Sequence, residues 1–344
     1  MDNKHVKRAG RSLRAKRPRG LSHSPKNVNR VAAGQQKTAR PVNGERTQIA
    51  IHGRDLALSN LEKVFYPAVG FTKGQVIDYY TRVAGALLPH LKDRPLTLKR
   101  YPNGVEAEFF YEKRCPRFRP PWVKTAEIWS RPKSEHISYC VLNDLPSLTW
   151  AVNLADLEMH TSLAREQKPE CPTLMVFDLD PGEGAGTKEC AAVALWLRDW
   201  LAERALQCFP KTSGSKGLQV YVPSNTSVNF DQTKSFARHA AEQLTAAHPN
   251  EVLARMEKRL RPGKVFIDWS QNDDHKTTVS VYSLRAKARP TVSTPLKWEE
   301  VERARKSSAE LSFEAPDVLK RVEKWGDLFE PVLQLKQKLP PLPR

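Results

Sequence analysis

The sequence predicts a mixed α/β fold, central β-sheets flanked by helices, and three observations carry that expectation. Apolar runs of strand length (Leu96 to Leu98, Leu174 to Leu179, Leu218 to Val222) alternate with amphipathic stretches of helix length. The alternation keeps no strict βαβ rhythm, which argues against a doubly wound sheet. With 344 residues, 40% of them hydrophobic, the chain has enough apolar material for a proper core.

The first fifty residues differ in kind from the rest. They hold 13 of the 56 Lys and Arg residues against only Asp2 and Glu45, a net charge of +11 out of +18 for the whole chain. Poor in aromatics and rich in Arg, Lys, Ser, Asn and Pro, this stretch buries too little apolar surface to fold alone. It is expected to be a disordered basic arm over residues 1–47 that binds a polyanion, nucleic acid above all. A solubilising or targeting extension is the other reading. No apolar segment follows the early charges as in a secretory signal, and no run approaches the ~20 apolar residues of a membrane span. The five cysteines are scattered without a C-x-x-C pair, so neither a zinc site nor a disulfide framework is expected.

Order is expected from about Gln48, where Ile49, Ile51, Leu56 and Leu58 begin a short β element. Ser59 to Tyr66 then leads towards a helix. Thr72-Lys-Gly-Gln75 fits a capping box, and Val76, Ile77, Tyr79, Tyr80, Val83, Leu87 and Leu88 follow at helical spacing. Leu96 to Arg100 reads as a strand ending in two cations, Lys99 and Arg100. Residues 101–136, dense in Pro, Arg, Lys and aromatics, read as an ordered functional loop. Ile137 to Leu142 is expected as a strand and Ser147 to Ala155 as a helix. Glu189 to Gln207 predicts an amphipathic helix burying Val193, Trp196, Leu197, Trp200 and Leu201. Phe209 to Thr212 and Leu218 to Val222 read as strands around a Ser-Gly-Ser-Lys-Gly turn, and Gln232 to Ala247 as a helix. Lys264 to Trp269 and Thr277 to Leu284 read as strands. From Trp298 the chain is helical and charged, ending in Lys-Leu-Pro-Pro-Leu-Pro-Arg. The expected organisation is thus an arm (1–47), a catalytic domain (48–300), and a C-terminal helical segment with a Pro-rich tail that packs on it (301–344).

The strand Leu174-Met-Val-Phe-Asp178-Leu-Asp180-Pro-Gly182 is the most informative stretch. Residues i and i+2 share a strand face, so it delivers Asp178 and Asp180 side by side. Two carboxylates that close need neutralising, by basic side chains or by a divalent cation; hard oxygen ligands suit Mg²⁺ or Mn²⁺. The same spacing also serves in sugar-nucleotide transferases, in haloacid-dehalogenase-like phosphatases and as plain turn chemistry. Three further features converge on it. Lys211-Thr-Ser213-Gly-Ser-Lys216-Gly can cradle a phosphate with backbone N–H groups, hydroxyls and an amine, although it lacks P-loop spacing and also suits an ordinary turn. Asp268 ends another apolar strand, with Gln271 after it; a third carboxylate makes two-metal phosphoryl transfer feasible, while a strand-end Asp also serves as a cap. Arg285, with Lys276 and Lys287, offers phosphate clamps or a solvated basic edge.

These residues match a known pattern. Ser59-Asn-Leu-Glu-Lys63-Val-Phe-Tyr-Pro67, Phe71-Thr-Lys73-Gly, Pro95-Leu-Thr-Leu-Lys99-Arg-Tyr-Pro, Phe177-Asp-Leu-Asp-Pro-Gly, Thr212-Ser-Gly-Ser-Lys-Gly-Leu and Ile267-Asp268 occur in that order. Together they resemble the primase-polymerase domain of bacterial DNA ligase D, of the archaeo-eukaryotic primase superfamily, over about residues 48 to 330. The resemblance implies a primase-like core and template-dependent addition of NTP or dNTP to a primer 3′-hydroxyl at gaps and ends of broken DNA. It implies that Asp178, Asp180 and Asp268 hold two Mn²⁺ or Mg²⁺ ions. It places Ser213, Lys216, Gln219, Gln271, Arg285 and His160 around the nucleotide. It gives Lys63 and Lys73 to a downstream 5′-phosphate, Phe109 and Phe110 to template stacking, and Lys99 to a further DNA contact. Read without the family, His160 is a buried, hydrogen-bonded histidine and the two phenylalanines anchor a loop.

Two departures stand out. The family motif commonly continues Gly-Leu-His, and this chain has Gln219, which neither carries charge nor acts as a general acid. Slower insertion, altered nucleotide preference or a compensating cation such as Lys276 are the three readings. Ligase D chains commonly continue into nuclease and ligase modules; no Lys-x-Asp-Gly adenylation motif is present here, so no ligase activity is expected. The expected partners are gapped DNA and DNA ends, NTP or dNTP, a Ku-like end-binding protein and a separate DNA ligase. A cytoplasmic, nucleoid-associated protein with no membrane contact follows. De novo priming and non-catalytic DNA end binding are the alternatives.

Overall fold

The computed structural model describes residues 46–131, 133–307 and 310–342. The arm expected over 1–47 lies outside them except for Arg46 and Thr47, which open the first strand. That strand, β1 (Arg46–Ile51), forms an antiparallel hairpin with β2 (Arg54–Ser59). A second small pair, β3 (Val64–Tyr66) and β4 (Phe71–Thr72), leads into α1 (Lys73–Leu91). The Thr72 hydroxyl accepts from Gln75 N and the Gln75 side chain accepts from Thr72 N, the reciprocal cap that the sequence predicts.

Next come β5 (Leu96–Arg100), β6 (Phe110–Glu112), β7 (Lys124–Ser130), β8 (Glu135–Val141), α2 (Leu145–Asn153) and β9 (Asp156–Thr161). Then follow β10 (Leu174–Pro181), α3 (Thr187–Ala202), β11 (Phe209–Thr212), β12 (Leu218–Pro223), α4 (Phe230–Ala247), β13 (Val252–Leu253), β14 (Val265–Asp268) and β15 (Thr278–Val279). The chain closes with α5 (Trp298–Ser307), α6 (Ala315–Trp325) and α7 (Pro331–Gln334). Two sheets organise these strands: β11-β12-β10-β14-β13, and β15-β9-β5-β8-β7 with β6 on β5. Pairing is antiparallel apart from β13 with β14, so the fold is the mixed α/β arrangement expected.

β10 shows how the core positions the site. Met175, Phe177 and Leu179 point into the apolar cluster beneath α3 and α4, whereas Leu174 and Val176 point into the cluster shared with α1 and the second sheet. Asp178 and Asp180 continue the second face. The strand is held by apolar burial on both sides for half its length and then turns one face from hydrocarbon to carboxylate. Each large apolar side chain so buried contributes roughly 1.5–3 kcal/mol, which fixes the strand end against the repulsion of its acids.

Four local expectations need correction. Residues 101–136 are not all loop: they supply β6, β7 and the first residues of β8, because their aromatics and β-branched residues alternate across a hairpin. The strand expected over Thr277 to Leu284 is only β15; Tyr282 takes a left-handed φ of 64° and folds the chain back so that Leu284 bridges Val292. On α3, Val193, Leu197 and Leu201 are buried, but Trp196 and Trp200 sit half-buried at the rim, Trp196 stacked on His248. Cys115 and Cys140 form a disulfide where none was expected. The Cys115 N–H donates to Ser138 O (2.7 Å) and lays its loop along β8, bringing the two Cα atoms to 4.9 Å. At the C-terminus, α5 packs on α3 and α6 on α1.

Candidate active site

A single row of side chains crosses the first sheet. Lys211 on β11 is registered opposite Gln219 on β12, Gln219 opposite Asp178 on β10, and Asp178 opposite Asp268 on β14. Directly opposed residues of neighbouring strands project to the same face. One lysine, one amide and two carboxylates therefore stand side by side, with Asp180 one pleat further along β10.

Beside this row lies a cavity of about 410 Å³, lined by His160, Asp178, Asp180, Ser213, Lys216, Gln219, Gln271 and Arg285 among others. Burial pushes the Asp178 carboxyl up to about 7, with the Asp180 and Asp268 charges adding to the rise and the Gln219 amide working against it. Asp180 is raised too, by burial and then by Asp268. Asp178 Oδ1 is buried without a hydrogen-bond partner. An orphaned carboxyl oxygen on Asp178, with Asp180 beside it in the cavity, is what a hard divalent cation would satisfy, so these two residues fit Mg²⁺ or Mn²⁺. Asp268 itself does not line the cavity. Its carboxylate accepts from Ser270 N (3.0 Å), Ser270 Oγ (2.6 Å) and Gln271 Nε2 (2.7 Å), capping the turn that follows β14. Among the described residues, the tight ligand-type cluster is instead Asp273, Asp274 and His275, whose acids pair with Lys234 and Arg131.

The Ser213–Gly217 turn forms the opposite wall. Ser213 Oγ accepts from the N–H groups of Ser215 and Gly217, both 3.2 Å away, and leaves Ser215 and Lys216 exposed at the cavity mouth. Gly217 is required sterically, since a Cβ there would stand 2.1 Å from Leu179 O. Gly214, at φ 68°, makes the left-handed turn that glycine permits. Arg285 locks the turn by donating from Nη1 to Ser213 O.

Arg285 also ties this wall to the second sheet, where its Nε lies 3.2 Å from Glu158 Oε2. Glu158 is buried and gathers His160 Nε2, Lys99 Nζ, Tyr101 OH and Ala286 N, each at 3.1 Å. Burial would raise its carboxyl, but the His160 hydrogen bond and the charges of Arg285, His160 and Lys99 outweigh that and hold it well below the usual carboxylate range. An ionised carboxylate only accepts, so His160 donates from Nε2 and presents Nδ1 elsewhere. Burial lowers the His160 pKa, which favours that neutral ring.

The aromatic residues adjoin this network. Lys99 Nζ lies over the rings of Phe109 (4.5 Å), Tyr101 (5.3 Å) and Tyr111 (5.6 Å), while Phe109 stacks on Tyr101 with centroids 5.2 Å apart. Phe110 has Arg100 over its face at 5.0 Å. Phe109 is 49% exposed and Phe110 38%, so both offer free ring surface.

Lys63 and Lys73 form a separate locus near the N-terminus of α1. Lys73 is buried, its ammonium donating to Ser59 O (2.6 Å) and Asn153 Oδ1 (2.7 Å). Lys63 donates to Pro102 O and Asn103 Oδ1. All these acceptors are neutral. Burial first, then the charges of Lys63 and Arg100, push the Lys73 amine down to about 8. Two adjacent cations beside a helix N-terminus leave positive potential that an anion would relieve.

Sequence reasoning missed Glu158 and Arg261. Glu158 alternates with Leu157 and Met159 in a strand absent from the sequence reading, and Lys211, which the sequence groups with the phosphate turn, is placed in the row by register. Arg261 reaches the cavity from the loop before β14 and lowers the Asp180 carboxyl against the stronger effects of burial and Asp268. Lys276, considered as a compensating cation for Gln219, instead donates to Ser270 Oγ (2.6 Å), and the basic residue that meets Gln219 is Lys211.

Known proteins resemble this chain over most of its length. Residues 72–329 match the family model described as LigD, primase-polymerase domain. The chain is 42% identical over 277 residues to the multifunctional non-homologous end joining protein LigD of Mycolicibacterium smegmatis. It is 32% identical over 275 residues to the bifunctional LigD protein of Bacillus subtilis. These matches cover 80% of this chain but span only 36% and 43% of those longer relatives. The polymerase domain of Mycobacterium tuberculosis ligase D, solved in complex with DNA, superposes with a TM-score of 0.76 and 39% identity, over 81% of this chain and 98% of that one. The family model matches most of the chain, and the relatives agree with it: this chain is a member of the LigD primase-polymerase domain family.

Proposed function

We propose that the chain is a template-dependent nucleotidyltransferase of the non-homologous end-joining type, adding NTP or dNTP to a primer 3′-hydroxyl at gaps and DNA ends. The observation that carries this reading is the convergence on one cavity of Asp178 and Asp180, registered beside Asp268, with Ser213, Lys216 and Arg285. The DNA-bound polymerase domain and the end-joining relatives support it.

In this reading Asp178, Asp180 and Asp268 hold two divalent cations, Mn²⁺ or Mg²⁺. Such ions, when bound, supply Lewis-acid activation of the attacking hydroxyl and neutralise charge on the departing pyrophosphate. The protein does the rest by position. Ser213 and Lys216 offer a hydroxyl and an amine to the triphosphate, and Arg285 stiffens that wall through Ser213 O. His160, held by Glu158, presents Nδ1 to the nucleotide sugar. Gln271 braces Asp268. Phe109 and Phe110 stack on template bases beside Lys99, and Lys63 with Lys73 grips a downstream 5′-phosphate. The basic arm adds non-specific DNA affinity, a Ku-like end-binding protein recruits the domain within the nucleoid, and a DNA ligase seals its product.

The test is incorporation of each ribo- and deoxyribonucleotide opposite a one-nucleotide gap bearing a 5′-phosphate, with Mn²⁺ or Mg²⁺. Templated addition by the native chain, absent in the Asp178→Ala/Asp180→Ala variant, is the expected result. Robust initiation on unprimed single-stranded template would make it a primase. Tight DNA binding without any addition would make it an end-binding module.

A further inference from the structure

A buried lysine, Lys211, stands opposite Gln219 in the row that crosses the first sheet. Lys211 is completely inaccessible, and its ammonium donates to Gln219 Oε1 (2.5 Å) and to Ser293 Oγ (2.5 Å). Ser293 Oγ in turn donates to Thr212 O (2.9 Å), so the lysine is fixed from behind. Burial pushes the Lys211 amine well below the usual lysine range, against the opposing charge of Asp178. The Lys211 nitrogen donates to the accepting end of a carboxamide whose two ends a half-turn would exchange. With Oε1 on Lys211, the Gln219 NH₂ is directed to the other side, towards Asp178 and the cavity, where it opposes the rise of the Asp178 carboxyl without forming a full hydrogen bond. A flipped amide would set its protons against the N–H donors of Lys211 and lose the bond between them.

We infer that Lys211 is a positioning residue that fixes Gln219 as a one-way hydrogen-bond donor to the nucleotide triphosphate. Position 219 thereby keeps a fixed hydrogen-bond donor where the family motif commonly has an imidazole. The lysine acts only through the amide and touches no substrate. This inference rests on the nucleotidyltransferase reading, and it accounts for a neutral residue at that position in an otherwise equipped site.

The test uses the full chain and a non-hydrolysable nucleoside triphosphate with Mn²⁺, with affinity measured at equilibrium and melting temperature recorded for each variant. Lys211→Met and Gln219→Met are each expected to raise Kd about tenfold, and the double variant to be no worse than either, because both changes remove the same donor. KM for nucleotide should follow Kd while kcat moves less than threefold, a split that general loosening of the site would not give. Multiplied losses in the double variant, or native affinity in a natively stable Lys211→Met, would overturn the inference. Should Lys211→Met not fold, the native protein still decides. Its Gln219 side-chain NH₂ resonances, assigned by their loss in Gln219→Met, must shift on triphosphate binding; unchanged resonances in the complex would overturn the inference. A native chain that binds no triphosphate overturns this inference and the underlying reading together, whereas native binding that is indifferent to Lys211 overturns this inference alone.

Discussion

Asp178 and Asp268 are directly registered partners on adjacent antiparallel strands, two carboxylates placed where a sheet ordinarily pairs apolar or opposite-charge side chains. Like charges so placed are destabilising, and Asp178 lies between Asp268 on one flank and Gln219 on the other. The arrangement costs stability when no cation is bound, and it persists because Met175, Phe177 and Leu179 anchor the opposite face of the strand. Asp178→Asn should therefore stabilise the metal-free protein by about 1 kcal/mol, a rise of roughly 2–4 °C in melting temperature. The same change should lower nucleotide incorporation by about 10²–10³-fold, as when a group that stabilises transition-state charge is removed. Thermal melts and single-turnover incorporation check both halves, and a less stable, fully active variant would contradict them.

Proton and metal compete at the same carboxylate. A free carboxyl titrates at about 4, while burial and Asp180 push the folded Asp178 up to about 7. Between those values the folded state holds the extra proton, so metal-free stability falls as pH rises through the window. Mn²⁺ must displace that proton below about pH 7. Its affinity should thus climb from pH 6 to pH 8, and the melting-temperature gain from saturating Mn²⁺ at fixed concentration should be larger at pH 8. An equal gain at pH 6, 7 and 8 would show that Asp178 is not a ligand.

Much of this was legible in the sequence, for identifiable reasons. The capping box at Thr72 and Gln75, the strand ending in Asp178 and Asp180, and the turn beginning at Ser213 are local, and local spacing states them directly. What was not legible depends on register. Lys211 reads as part of the phosphate turn until β11 is aligned with β12, and Glu158 gains its partners only when β9 is aligned with β5. Asp268 shows a further limit: its strand was evident, but its engagement by Ser270 and Gln271 depends on a three-residue turn. The Cys115–Cys140 pair likewise joins a loop to β8 across 25 residues, a proximity that cysteine spacing cannot reveal.

Phe109 has one flank occupied by Tyr101 and by Lys99 Nζ, yet half of its ring is exposed. That is the geometry of a platform braced from one side. Base stacking on such a ring contributes about 1–3 kcal/mol. Phe109→Ala should therefore raise the Kd for gapped DNA by about tenfold, with melting temperature nearly unchanged because little buried surface is lost. Fluorescence anisotropy on gapped and fully duplex DNA would check this, and an equal loss on both would point to electrostatics instead of stacking.

The lysine pair gives a prediction in which mutation and pH must agree. Lys73 donates only to neutral oxygens and has its amine pushed down to about 8 by burial, then by Lys63 and Arg100. If this locus receives a downstream 5′-phosphate, Lys73→Ala should abolish the preference for 5′-phosphorylated over 5′-hydroxyl gaps while leaving extension of simple overhangs intact. It should also cost about 1–3 kcal/mol of stability by orphaning Ser59 O and Asn153 Oδ1. In the native protein, raising the pH from 7 to 9 neutralises Lys73 and should erode the same preference. Lys63→Ala removes a charge that depresses Lys73, so the weaker preference it retains should persist to higher pH than in the native chain. Parallel loss on gaps and overhangs, or a preference indifferent to pH across that range, would exclude Lys73 from phosphate recognition. The first result would assign it to holding β2 against α2, because Ser59 and Asn153 are the residues it joins.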